Sequence, residues 1–157
     1  MKAVRIESVA ESEKASLLTI CFEEENISEF EKFIQKHSES YSEDLSIILS
    51  AIKKMLEASG FLERYFRPEG KYKDRVCALP IQSGKLRLYC IRLNDKILIA
   101  GNGGIKNAQR YQDCEDLNGY VVTLQKLDKA LEVAVKRGEV IIEERKFKNI
   151  TNKKIRL

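Results

Sequence analysis

The stretch Lys85–Lys106, KLRLYCIRLNDKILIAGNGGIK, decides how the fold is read. It divides into a strand, a tight turn, a second strand and a glycine-rich exit that ends in lysine. In the first strand Leu86, Leu88 and Cys90 fall on one face, while Lys85, Arg87 and Tyr89 fall on the other. That period-two alternation marks a half-buried strand. The polar face is unusual in content, carrying a lysine, an arginine and a tyrosine in succession. Asn94-Asp95 is the expected hairpin turn, since both residues tolerate the left-handed backbone. Lys96–Ala100 returns as a mostly apolar strand, expected in the middle of a sheet. Gly101-Asn102-Gly103-Gly104 lacks the GK[ST] ending of a phosphate-binding loop, so its glycines are read as permitting a bulge or a close backbone approach.

Upstream of the hairpin the signals alternate between strand and helix. Val4 and Ile6 flank Arg5 in a short edge strand, and Ala15–Glu23 is a second strand bounded by charge. Asn26 or Ser28 caps a helix bearing Phe30, Phe33 and Ile34, and its end holds the only histidine, His37. His37 reads as a surface or helix-end residue, because the segment supplies no partner for base catalysis. Ser42 opens a second helix with Glu43 and Asp44 in the first turn, where carboxylates favour the dipole. Its buried stripe is Leu45, Ile48, Leu49, Ile52 and Leu56, and Gly60 stops it. Val76–Ile81 is a strand leading into the hairpin, limited by Pro80. Tyr120–Arg137 is a helix with Leu124, Leu127, Leu131 and Val135 on one face, ended by Gly138. Val140–Lys148 is a last strand, and Thr151–Leu157 a basic, frayed tail. Strands and helices in this order give an α+β class.

The chain has 157 residues, a length that suits one domain: residues 1–66 contribute a strand and two helices, and residues 67–157 the sheet core, a helix and a C-terminal strand. No apolar run approaches the roughly 20 residues that span a bilayer, and the N-terminus lacks a secretory pattern, so a cytoplasmic protein without membrane partners is expected. Cys21, Cys77, Cys90 and Cys114 match no metal-ligand spacing and read as reduced, mostly buried thiols. No metal or cofactor is expected. The net charge of +4 hides an asymmetry: residues 1–66 hold 8 basic and 13 acidic side chains, residues 67–157 hold 20 and 11. A basic second half suits a polyanion or a solvated surface. Within it Arg67, Lys71, Lys73 and Arg75 surround Tyr72, a mixture that suits a phosphate backbone and a stacked base, and equally a solvated loop.

At LRLYCIRLNDKILIAGNGGIKNAQ the chain resembles the RelE/ParE superfamily of bacterial toxin–antitoxin toxins, and within it HigB-like members. Leu86-Arg87-Leu88-Tyr89 carries the first part of the likeness and Gly104-Ile105-Lys106 the second, over roughly residues 75–135. The resemblance implies an antiparallel central sheet with helices packed on one face, here with an N-terminal strand and helix extension. It implies a type II toxin that cleaves mRNA as a metal-independent endoribonuclease, at the ribosome or on free message. A cognate antitoxin encoded alongside, with a short helix-turn-helix protein as one candidate, is the implied partner. The catalytic set expected from the likeness and the polar face together is Arg87 on the phosphate, Lys85 and Lys106 as electrostatic partners, and Tyr89 as stacking or acid group. Arg67, Lys71, Tyr72, Lys73, Arg75 and Arg92 form the expected RNA-binding set, although strict alternation puts Arg92 on the opposite face. Two other readings stand beside this one: a non-catalytic member that binds an antitoxin or RNA, and a gyrase-directed toxin of the ParE branch.

Overall fold

The computed structural model describes residues 2–69, 74–79, 84–106, 115–144, 146–148 and 154–157. The order of elements begins with β1 (Ala3–Glu11) and β2 (Ser16–Phe22), followed by helices α1 (Glu29–His37) and α2 (Ser42–Lys54). Then come β3 (Arg67–Pro68), β4 (Val76–Leu79), β5 (Leu86–Asn94) and β6 (Ile97–Ile105). Helix α3 (Glu115–Lys136), a hairpin of β7 (Ile141–Glu143) and β8 (Lys146–Lys148), and β9 (Lys154–Arg156) complete the chain.

The class is α+β, with seven strands in one sheet ordered β3-β4-β5-β6-β2-β1-β9. The sheet is mixed and not antiparallel throughout: β2 runs parallel to β6, with Leu17 opposite Leu98 and Leu18 opposite Ile99. The N-terminal elements are therefore no appendage, since β2 sits beside β6 in the interior of the sheet. The helices do not share one face either. Leu86, Leu88 and Cys90 of β5 pack with Phe30 and Phe33 of α1 and Leu45, Ile48 and Ile52 of α2. Tyr89 and Ile91, on the other face, pack with Leu117, Val121, Leu124, Leu127 and Leu131 of α3. The sheet is thus covered on both sides.

The helices form where periodicity and caps place them. Ser28 caps α1, its hydroxyl accepting from the Glu31 N–H at 3.2 Å. Helix α2 runs into a widened turn at Met55–Ser59 and stops at Gly60, whose φ of 81° favours glycine. Helix α3 starts earlier than the apolar period suggested, and its buried stripe ends on Ala134, leaving Val135 exposed. The hairpin turn falls on Asp95-Lys96, one residue later than expected, with neither residue at positive φ. The Asn94 side chain takes over the job, accepting from the Lys96 N–H at 2.7 Å.

Two C-terminal expectations are corrected. The segment 140–148 makes the separate β7–β8 hairpin, not a single strand. The tail is not frayed: β9 pairs antiparallel with β1, Ile155 opposite Val4, and the Leu157 N–H donates to the Lys2 carbonyl at 3.0 Å. Ile155 is buried there, and β1 is consequently an interior strand. Among the described residues no helix is long and apolar enough to cross a membrane.

The glycine-rich exit behaves as read. The β5–β6 register shifts between Leu88 and Cys90, placing an extra residue in β6. A Cβ on Gly103 would overlap the Arg87 carbonyl oxygen, and one on Gly101 would lie 3.1 Å from the Leu124 methyls. Gly103→Ala is expected to destabilise the fold by about 3 kcal/mol, because the obstacle is backbone and cannot rotate away. The midpoint of denaturant unfolding measures this.

Candidate functional site

The polar side chains that β5 and β6 carry on the α3 face reach water only near the strand ends. Arg87 lies opposite Gly104, where the first turns of α3 come close: a Cβ on Gly104 would sit 3.1 Å from a Leu117 methyl. Arg87 is half-buried. Its Nη1 donates to the carbonyls of Gly84 and Leu86, both at 3.0 Å, which fixes the guanidinium beside the strand. Its Nε is buried and meets no acceptor among the described residues. Lys106 follows β6 directly and extends the ladder, its N–H donating to the Lys85 carbonyl at 2.9 Å. Arg67, on β3, stands opposite Ala78, which is itself opposite Tyr89. By alternation Arg67, Arg87 and Lys106 all belong to the face that α3 covers.

These three cations all act electrostatically on one carboxyl, that of Glu69, which the sequence did not single out. Half-burial pushes its carboxyl above the ordinary value, against the pull of Lys106, Arg67 and Arg87, in that order of effect. Its N–H donates to the Val76 carbonyl at 3.1 Å, which holds the backbone beside β4. The signal available in the sequence was one of two carboxylates, Glu69 and Asp74, within a basic segment between Arg67 and Arg75. A carboxyl in such surroundings either balances charge or moves protons.

Other expected site residues do other work. Tyr89 is fully buried in the core beneath α3, so it presents no ring to a base and no phenol to a leaving group at the surface. The alternation that put it with Arg87 is real, but the face it lies on is covered by a helix. Lys85 is exposed and is not among the groups that act on Glu69. Its backbone N–H and that of Leu86 are held by the Asp44 carboxylate of α2, at 3.1 and 3.4 Å. Arg75 is tied to an internal carboxylate: its Nε donates to Asp128 Oδ1 at 2.7 Å and its backbone N–H to Oδ2 at 3.1 Å. Asp128 is a buried residue of α3, so this pair fastens the helix to the start of β4. Arg92 points to the face opposite Arg87 and braces the hairpin, its Nη1 donating to Asp95 Oδ1 at 2.9 Å and to the Phe61 carbonyl at 3.3 Å. Arg75 and Arg92, expected on RNA, are thus each paired with a carboxylate of the fold itself. Lys71, Tyr72 and Lys73 lie outside the described residues.

The histidine and the cysteines are equally internal. His37 ends α1 as read, but it is buried, with ring contacts to Phe33 at 5.2 Å and Tyr41 at 6.2 Å. Burial, then Lys36, holds its pKa below 6.5, with the Gly103 backbone acting the other way. Cys77 and Cys90 face each other across β4 and β5 as free thiols, and burial pushes Cys77 up to about 12 and Cys90 well above 9.0. Cys21 is free and buried, while Cys114 lies outside the described residues. Thiols kept protonated in this way are poor nucleophiles. Among the described residues no group of three or more histidine, cysteine, aspartate or glutamate side chains is placed to hold a metal ion.

What remains is a cationic strip, not a compact pocket. Its registers run along the sheet from Arg67 past Tyr89 to Arg87 and Lys106, with the Glu69 carboxyl, raised by burial, under their electrostatic influence. Such a strip can hold successive phosphates of an extended chain, and its carboxyl can accept a proton. No family model matches the chain, and no curated protein or solved structure matches it.

Two outcomes separate structural from functional cations. Arg75→Ala is expected to lower stability by about 2 kcal/mol, because it strands the buried Asp128 charge; Arg87→Ala is expected to lower it by about 1 kcal/mol or less. Urea melts of both variants measure the difference. For His37 the sign follows from its depressed pKa. Its burial favours folding fully above pH 6.5, and that contribution is lost as pH falls, because the unfolded chain takes the proton more readily. The melting temperature should therefore fall between pH 7.5 and 5.5, and fall less in His37→Leu.

Proposed function

We propose that this chain is an RNA-cleaving toxin of the RelE/ParE kind. It acts on mRNA at the ribosome, in the cytoplasm, and is restrained by a cognate antitoxin. The likeness of residues 85–106 to that superfamily suggests the class. The observation that carries the chemistry is the set Arg67, Arg87 and Lys106 on one face of the sheet, with the Glu69 carboxyl raised by burial and acted on electrostatically by all three.

Cleavage of RNA by its own 2′-hydroxyl needs a base, a counter-charge and an acid. In this reading Glu69 accepts the proton of the 2′-hydroxyl, and Tyr89, expected as a stacking or acid group, is buried and takes no part. A carboxyl with an elevated pKa is the better base for that step. The 2′-oxygen then attacks phosphorus and the bond from phosphorus to the 5′-oxygen breaks. Arg87 and Lys106 offset the charge that gathers on the phosphorane oxygens, the guanidinium as a planar fork and the ammonium as a point charge. The Lys106 ammonium gives its proton to the departing 5′-oxygen and recovers one from solvent. The products are a 2′,3′-cyclic phosphate and a 5′-hydroxyl. Arg67 holds a neighbouring phosphate and so sets the register of the chain.

A second reading, a non-catalytic protein that grips RNA or an antitoxin, is favoured by the burial of Tyr89 and by the structural employment of Arg75 and Arg92. Full-length protein incubated with translating ribosomes and with free RNA oligonucleotides distinguishes the two. Glu69→Gln and Arg87→Ala are each expected to slow cleavage by about a hundredfold or more. The acid limb of the rate profile should lie above pH 4.5 and disappear in Glu69→Gln. Cleavage at the parent rate by Arg87→Ala/Lys106→Ala would sink the catalytic assignment. RNA binding that needs Arg87, with no cleavage by the parent chain, would establish the second reading.

A further inference from the structure

A groove of about 580 Å³ runs between the C-terminal half of α3 and β9. It is far along the helix from Leu117, which neighbours the cationic strip. One wall is a second stripe of α3, at the helical spacing Lys126, Lys129/Ala130, Val133/Ala134, Arg137. The other wall is Lys154–Leu157. The floor is aliphatic, with Ala134 and Ile155 buried and Val133 left 40% exposed. The rim is mostly cationic, with Lys126, Lys129, Arg137, Lys154 and Arg156, and holds one carboxylate, Glu139. Lys154 is already paired with Glu23. Lys126, Lys129 and Arg137 take part in no ion pair among the described residues.

We infer that this groove is a docking site for a short acidic segment of a partner protein, with aliphatic side chains on the floor and carboxylates on the rim. Charge complementarity names the occupant. Three cations with no internal partner around an apolar floor match a chain that alternates carboxylate and aliphatic side chains. RNA fits less well, because among the described residues no aromatic side chain lines the groove for bases to stack on. The position at the sheet's end adds a backbone route. Among the described residues β9 has a strand neighbour on one side only, β1, so an extended segment can pair along its free edge. This site does not depend on RNA cleavage.

Fluorescence anisotropy of the full chain with synthetic probes tests it. An alternating glutamate–valine decapeptide is expected to bind about tenfold or more tightly than a glutamate–serine decapeptide of equal charge. Lys129→Glu/Arg137→Glu should weaken the glutamate–valine probe by about tenfold or more without changing the melting temperature. Val133→Asp should weaken it too, as a check on the apolar contact. Arg87→Ala/Lys106→Ala should leave it unchanged, so the result stands whether or not the chain cleaves RNA. The inference is overturned if the two peptides bind alike, or if Lys129→Glu/Arg137→Glu binds like the parent. Displacement of the peptide by a ten-nucleotide RNA whose binding also needs Lys129 and Arg137 would overturn it in favour of a nucleic-acid surface.

Discussion

The pairing of β5 with β6, covered by helices on both faces, is the constraint from which the rest follows. Both strands have hydrogen-bonded neighbours on either side, and their central residues from Leu88 to Ile91 and from Ile97 to Gly104 are buried. A strand held in this way has no middle position for a hydrated charge, because burying an unpaired ion costs several kcal/mol. Polar function is driven to the ends. Arg87 and Lys106 sit where the ladder runs out, and Tyr89, two residues inside, becomes core. The extra residue in β6 near Gly103 allows the close approach of β5 there, so the exit from the sheet and the placing of Arg87 share one backbone irregularity.

Local structure was legible and long-range structure was not, for physical reasons. Helix α1 announces itself through the Ser28 cap, and α1 and α2 both through a 3.6-residue apolar period, signals confined to a dozen residues. The alternation of β5 was equally local and correct. What covers its second face lies about thirty residues downstream, in α3, and no property of Lys85–Asn94 reports it. The same distance hides the partners of the basic residues: Arg75 meets Asp128, 53 positions away. An arginine that braces a fold and one that faces solvent have the same neighbours in sequence. Glu69 escaped notice because its interest comes from burial and from cations contributed by three different segments. The parallel contact of β2 with β6 joins residues 81 positions apart and leaves no mark on either strand beyond apolarity.

The uneven charge of the two halves also takes on physical form. Carboxylates of the first half are partly spent within the fold: Glu25 and Glu29 hold Lys32, Asp44 caps the start of β5, and Glu23 meets Lys154. Among the described residues, cations of the second half without an ion pair include Lys106 of the strip and Lys126, Lys129 and Arg137 of the α3 groove.

The union of β1 with β9 has a consequence for synthesis. As the chain emerges from its N-terminus, β1 can pair with β2 almost at once, while its other row of amides and carbonyls waits for residues about 150 positions later. Throughout translation of the intervening segment that edge is a template open to any extended neighbour. Arg5, Glu7 and Glu11 interrupt β1 with charge along its length. Among the described residues β9 later covers only Ala3–Arg5, so Glu7 and Glu11 go on guarding the rest of that edge in the finished fold.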